Sequence, residues 1–98
     1  MYINFIYQPP PLFEYDPKKS ASNLEKHGID FEQAKRIWED ENRVTLEVQL
    51  TPEIRYVTIG KIGSKHWTAV HTRRTDNIRL ISVRRSRKQE VNYYEAYH

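Results

Sequence analysis

The chain has no cysteine among its 98 residues. Disulfides, thiolate zinc centres and cysteine nucleophiles are thereby excluded. A small domain without disulfides fits a reducing compartment, so a cytoplasmic location is expected. Glycine is scarce, at three residues, and there is neither a P-loop nor a dinucleotide-binding fingerprint. HExxH and GxSxG are missing too. No apolar run approaches the roughly 20 residues that span a bilayer. The start, MYINFIYQPPP, lacks the basic residues and long apolar stretch of a secretory leader. The His and carboxylate spacings outline no metal site, and no cofactor is expected.

What the chain has in quantity is charge. Charged residues make up 30% and hydrophobic ones 38%, which suits one small domain with a modest core. The net charge of +3 is unevenly spread. Residues 1–60 hold 7 Lys/Arg against 10 Asp/Glu, a net −3, while residues 61–98 hold 9 against 3, a net +6. That asymmetry has two readings: a solvated charged face, or a grip on an anionic partner, nucleic acid first.

Local signals divide the chain into elements. Residues 1–12 read as a flexible or edge-strand extension, because Pro9-Pro10-Pro11 stops any ladder. Residues 13–98 then form the single domain, with Phe13-Glu14-Tyr15 as a candidate short strand. Asp16 caps a helix that Pro17 can open and Gly28 can stop. Asp30 and Gln33 have capping-box spacing, and Phe31, Ala34, Ile37 and Trp38 recur at helical period. Four alternating segments, 43–50, 54–60, 66–73 and 77–84, are joined by short turns and read as an antiparallel meander. Ser86 and Gln89 suggest a second capping box, opening a last helix through Tyr97. The expected fold is α+β: two N-terminal helices, a four-stranded antiparallel sheet and a C-terminal helix.

Arg84, Arg85 and Arg87 gather where the last strand meets the last helix. Their planar forks match phosphate oxygens, and a helix start favours anions. The alternative is pairing with the acidic first part of the chain. Arg79 and Arg84 lie five residues apart, so a regular strand puts them on opposite faces. His71 falls across from Arg79 if the hairpin loop is only residues 74–76. A neighbouring cation favours its neutral form, which can act as a base on a ribose hydroxyl; otherwise it is a packed histidine. His27, beside Lys26, ends the first helix, where the dipole already favours a cation. Tyr93, Tyr94 and Tyr97 can stack bases, or else pack as core or form a partner-docking face. RNA cleavage by its own 2′-hydroxyl needs only orientation, proton removal and charge stabilisation at phosphorus, which this residue set can supply.

FEYDPKKSASNLEKHGIDFEQAKRIWED resembles the opening of the BrnT toxins, with their D-P-x-K, N-x-x-K-H-G and F-x-x-A motifs. These fall on Asp16, Pro17 and Lys19, then Asn23, Lys26, His27 and Gly28, then Phe31 and Ala34. RYVTIG, AVHTRR and IRLISVRRSRKQEVNYYEAY are similar to the family's later segments and its closing E-x-x-x-Y. The likeness runs over residues 13–98. It departs at His71, where the family often has tyrosine, and at Val83, Arg85 and Ser86. The resemblance implies a RelE-like fold and a metal-independent ribonuclease toxin that blocks translation. It also implies a BrnA-type ribbon-helix-helix antitoxin in a hetero-oligomer that touches operator DNA mainly through the antitoxin. Carried onto this chain, Arg79 and Arg84 stabilise phosphate charge, and Lys26, His27 or His71 move protons. Arg55, Arg73, Arg85, Arg87 and Tyr93 hold RNA. The competing readings are a non-catalytic nucleic-acid binder and a module whose cations meet only an acidic protein.

Overall fold

A computed structural model describes residues 12–97, and the expected extension lies outside them except for Leu12. The elements run β1 (Phe13–Glu14), α1 (Pro17–His27), α2 (Phe31–Ala34), a 3-10 helix (Lys35–Glu39), β2 (Val44–Gln49), β3 (Arg55–Ile62), β4 (Lys65–Arg74), β5 (Asn77–Arg85) and α3 (Lys88–Glu95). The class is α+β. The sheet has five strands in the order β1-β5-β4-β3-β2. β2 to β5 form the expected meander, but β1 adds in parallel beside β5, so the expected four-stranded, purely antiparallel RelE-like sheet is corrected to a mixed one.

Local chemistry explains the helix ends. The Asp16 carboxylate accepts from the Lys18 N–H at 2.9 Å, Pro17 takes the first turn, and Gly28 closes α1 at φ 75°. That left-handed conformation is open to glycine without the Cβ penalty. Asp30 and Gln33 form their reciprocal box. The helix they open is α-helical for only four residues before it tightens. Three residues per turn in the 3-10 segment keep Ala34 and Ile37 in line, and both are fully buried with Phe31.

These three side chains and Ile29 pack on Trp67, Ala69, Ile78, Leu80 and Val83 of the sheet. This inner face is where the core sits. Gly60 lies under Ile37, and a Cβ there would sit 2.9 Å from Ile37 Cγ2 and 3.0 Å from its carbonyl oxygen. Because one of the two clashing atoms is backbone, Gly60→Ala is expected to cost roughly 1–3 kcal/mol, by the usual penalty for overpacking. A thermal melt checks this; an unchanged midpoint would mean that the 3-10 helix yields freely.

β1 covers only the first part of the β5 edge. Further along, the Asn23 side chain takes over as a rung. Its Oδ1 accepts from the Val83 N–H at 3.1 Å, and its Nδ2 donates to the carbonyls of Val83 at 2.9 Å and Ile29 at 2.7 Å. Buried backbone groups at a sheet edge need such partners.

α3 packs on the opposite, outer face. The expected Ser86–Gln89 box is not what opens it. Ser86 Oγ is bonded to Thr68 Oγ1 at 2.8 Å, and the Glu90 carboxylate accepts from the Arg87 N–H at 2.7 Å. The other end is pinned by the Tyr94 hydroxyl, which donates to Asp40 at 2.7 Å. Burial first, and then this carboxylate, push the Tyr94 hydroxyl up to about 12. No helix among the described residues is long and apolar enough to cross a membrane.

Candidate phosphate-binding face

A bulge decides where the arginines point. Val70 pairs with Ser82, yet His71 pairs with Leu80, so Ile81 is the extra residue on β5. An inserted residue reverses the side-chain alternation beyond it. Thr72 pairs with Arg79 and Thr68 with Arg84. Thr72 and Thr68 are four apart on one strand and therefore share a face. Arg79 and Arg84 thus share the outer face, about 13 Å apart at the strand rise per residue, with Ser82 on the rung between them. The expectation of opposite faces, which assumed a regular strand, is corrected by the bulge.

Arg55 extends this set. It precedes Tyr56, which pairs with His71, so it continues the register beside Thr72 and near Arg79. Its Nε is buried without a hydrogen-bond partner, and the nearest carboxylate, Glu53, is 3.8 Å away. Arg79 is half-buried, with Glu14 at 3.9 Å, too long for a hydrogen bond. Arg84 is held firmly. Its two terminal nitrogens donate to the two oxygens of Glu90 at 2.6 and 2.9 Å. Thr68 also donates to Glu90, at 3.2 Å. Burial alone would raise the Glu90 pKa, but these donors together outweigh it and lower it, so the carboxylate stays charged. The Arg84 pKa is raised, chiefly by its hydrogen bonds to Glu90. The bidentate carboxylate occupies the fork that would otherwise take a phosphate.

The other expected residues scatter. His71 is buried on the inner face, 3% exposed, where it pairs with Leu80 rather than Arg79. Its ring stacks on Tyr56 and meets Trp38 edge-on. Nε2 is 2.7 Å from Thr58 Oγ1, which is 2.9 Å from Thr45 Oγ1. Nδ1 is buried and unpartnered. An unmet acceptor is cheaper than an unmet N–H, so the proton belongs on Nε2, donating to Thr58. The ring is neutral, as the sequence suggests, with burial as the first cause and the charge of Arg73 as the second. Arg73 lies over the Tyr56 ring at 5.7 Å, also on the inner face. Arg85 lies over Trp67 at 5.5 Å. Arg87 is exposed at the start of α3.

Lys26 and His27 are exposed in the last turn of α1. With Lys19 and Ser22 they line a hollow of about 250 Å³ that reaches Ile81 and Ser82. The bulge therefore brings this basic hollow to the border of the Arg79–Arg84 face. Tyr93 stands exposed at the α3 side, sharing a hydroxyl hydrogen bond with Tyr97 at 2.8 Å. Sequence reasoning missed Glu90 as the partner of Arg84. Its spacing of three residues from Arg87 was the available signal, read instead at Ser86 and Gln89.

The outer face thus brings three arginine side chains together with the Ser82 hydroxyl on one sheet surface, each arginine with one carboxylate near it. A family model supplies the class. It matches residues 15–90 and describes the ribonuclease toxin BrnT of type II toxin–antitoxin systems. The chain belongs to that family, whose setting implies an RNA substrate and an antitoxin partner. No curated protein matches the chain significantly.

Proposed function

We propose that the chain is an endoribonuclease that cleaves RNA without a metal ion and so halts translation. In this reading the 2′-hydroxyl of the RNA attacks the adjacent phosphorus and the 5′-oxygen leaves. A 2′,3′-cyclic phosphate remains on one fragment and a 5′-hydroxyl on the other. The observation that carries the reading is the bulge at Ile81, which turns Arg79 and Arg84 onto one face around Ser82.

Arg79 and Arg84 stabilise the extra negative charge at phosphorus, an interaction that strengthens in the transition state. Arg55 and Tyr93 extend the RNA path along the same face, and Arg87 lies at its α3 end; Arg85, stacked over Trp67, belongs to the inner face. Lys26 and His27, at the hollow beside Ser82, are the proton-handling groups of this proposal. His71 and Arg73 are assigned to the inner-face packing instead. The neutralising partner in this reading is a BrnA-type ribbon-helix-helix antitoxin, through which operator DNA is contacted.

The test is incubation of the antitoxin-free chain with RNA in excess EDTA. Fragments with 2′,3′-cyclic phosphate ends are the expected result. Intact RNA with retained, salt-sensitive binding would replace cleavage by binding.

A further inference from the structure

The outer face has a second, chemically different half. Beside the arginines runs an open groove of about 440 Å³. Leu46, Val48, Val57, Ile59 and Val70 form its floor, and Arg84, Glu90 and Tyr93 stand at its rim. The floor is aliphatic. Bases are held by stacking on aromatic or guanidinium planes, so this lining fits Leu, Ile and Val side chains of a protein better than it fits RNA.

The groove continues to the edge of the sheet. β2 is the last strand in the sheet order, with no strand beyond it among the described residues. Its sequence, VTLEVQ, holds one charge and neither lysine nor proline, the common guards of an edge strand. At its end Val48 is 56% exposed and Leu50 66%, with Ile54 nearby in sequence at 44%. The edge does carry one bulge, between Glu47 and Gln49, and the large aliphatic side chains gathered at it mark an interaction surface. β2 and its flanks carry Glu41, Glu47 and Glu53, so the partner's sign is set at the Arg55 end of the edge, where the start of β3 has an unmet N–H and the later strands and α3 belong to the basic residues 61–98, net +6.

We propose that this groove and the β2 edge are the docking surface of the antitoxin. The docking element is an extended segment that pairs along Val44–Gln49 and lays aliphatic side chains on the groove floor. Acidic residues flank it and face Arg55 and the basic end of the sheet. Strand addition supplies main-chain hydrogen bonds, and the side chains on the groove side supply specificity. The occupant lies alongside Arg84, so docking and RNA access compete at the groove rim. The proposal rests on membership in a toxin–antitoxin family and on this surface, and does not require the cleavage chemistry above.

The experiment uses the full chain and its purified cognate antitoxin. Calorimetric titration is run on the wild type, Val48→Asp and Leu50→Asp, all shown to be folded by thermal melt. Hydrogen exchange is followed on the wild type with and without antitoxin. The expected result is an affinity loss of about 30-fold in each variant, the size of a lost apolar anchor. RNA cleavage, where the wild type shows it, should persist and escape the antitoxin, and the amides of 44–49 should slow in exchange on complex formation. Affinities within about threefold of wild type, with no protection of β2, would overturn the proposal. So would loss of RNA cleavage with antitoxin affinity unchanged, which would give the groove to RNA. A wild type that cleaves no RNA would sink the ribonuclease reading alone, since titration and exchange still decide where the antitoxin sits.

Discussion

Arg84→Ala is expected to lower RNA cleavage by about 10²- to 10³-fold, the usual cost of removing one preorganised donor to a developing anion. The same substitution has a second effect, because Glu90 then loses its bidentate partner. A partly buried carboxylate left with only the Arg87 N–H and Thr68 hydroxyl should cost roughly 1–3 kcal/mol of stability. The two effects separate in the double variant Arg84→Ala/Glu90→Gln. Replacing the carboxylate by an amide removes the stranded charge, so the melt should recover most of the loss while cleavage stays low. Glu90→Gln alone frees Arg84 from a charged competitor and should tighten phosphate binding. Cleavage rates under single-turnover conditions, set beside melts of all three proteins, make the distinction. If the double variant recovers both stability and activity, Arg84 serves only to neutralise Glu90, and the phosphate role falls to Arg79 and Arg55.

Glu90 is therefore more than a helix cap. It holds the arginine fork in place between α3 and the sheet, at a distance and orientation that a phosphate oxygen pair would adopt. Tyr94, one turn on, fixes the other end of α3 to Asp40. The E-x-x-x-Y spacing thus places two anchors on the side of the helix that meets the sheet.

Much of this was legible because it is local. Asp16, Pro17 and Gly28 determine α1 through contacts within a few residues. The four meander strands follow from alternation and from turns too short for any crossover, and their observed ends lie within a residue or two of the expected ones. β1 as a parallel partner was not legible. Its two residues meet a strand more than sixty positions away, and nothing local distinguishes a parallel from an antiparallel neighbour. The bulge was hidden for a related reason. IRLIS can continue a regular strand or hold an extra residue, and only the hydrogen-bonded register against β4 tells which. That single insertion carries the candidate site with it. Without it Arg79 and Arg84 diverge; with it they share a face. His71 meets Leu80 for a separate reason, the two-residue turn Thr75-Asp76 that pairs Arg74 with Asn77. Asn23 was visible only as part of a motif, although its task, completing an edge rung with an amide, is physical.

Lowering the pH is expected to destabilise the fold through His71 before most carboxylates titrate. Burial, with the Arg73 charge second, pushes this imidazole from 6.5 down to about 4. Between those values the unfolded chain binds a proton that the folded chain refuses. Stability therefore rises with pH through this window, and is lost as pH falls from about 6.5 towards 4. At 1.36 kcal/mol per unit of pKa difference the loss is roughly 3 kcal/mol, a large share of the stability of a small domain. Above pH 7 the contribution is fully present. Denaturant unfolding at pH 7.5, 6, 5 and 4.5 measures the slope. His71→Phe keeps an aromatic ring between Tyr56 and Trp38 and leaves the Thr58 hydroxyl its contact with Thr45, so the fold should persist with the slope between pH 6.5 and 4.5 largely removed. Glu32 and Glu90, whose pKa values are lowered, lose their contributions only as pH falls through the carboxylate range. Subtracting the two proteins' curves cancels those terms and isolates the histidine. An identical slope in His71→Phe would mean that the ring takes up its proton without opening the core, and would return His71 to the list of groups able to move a proton.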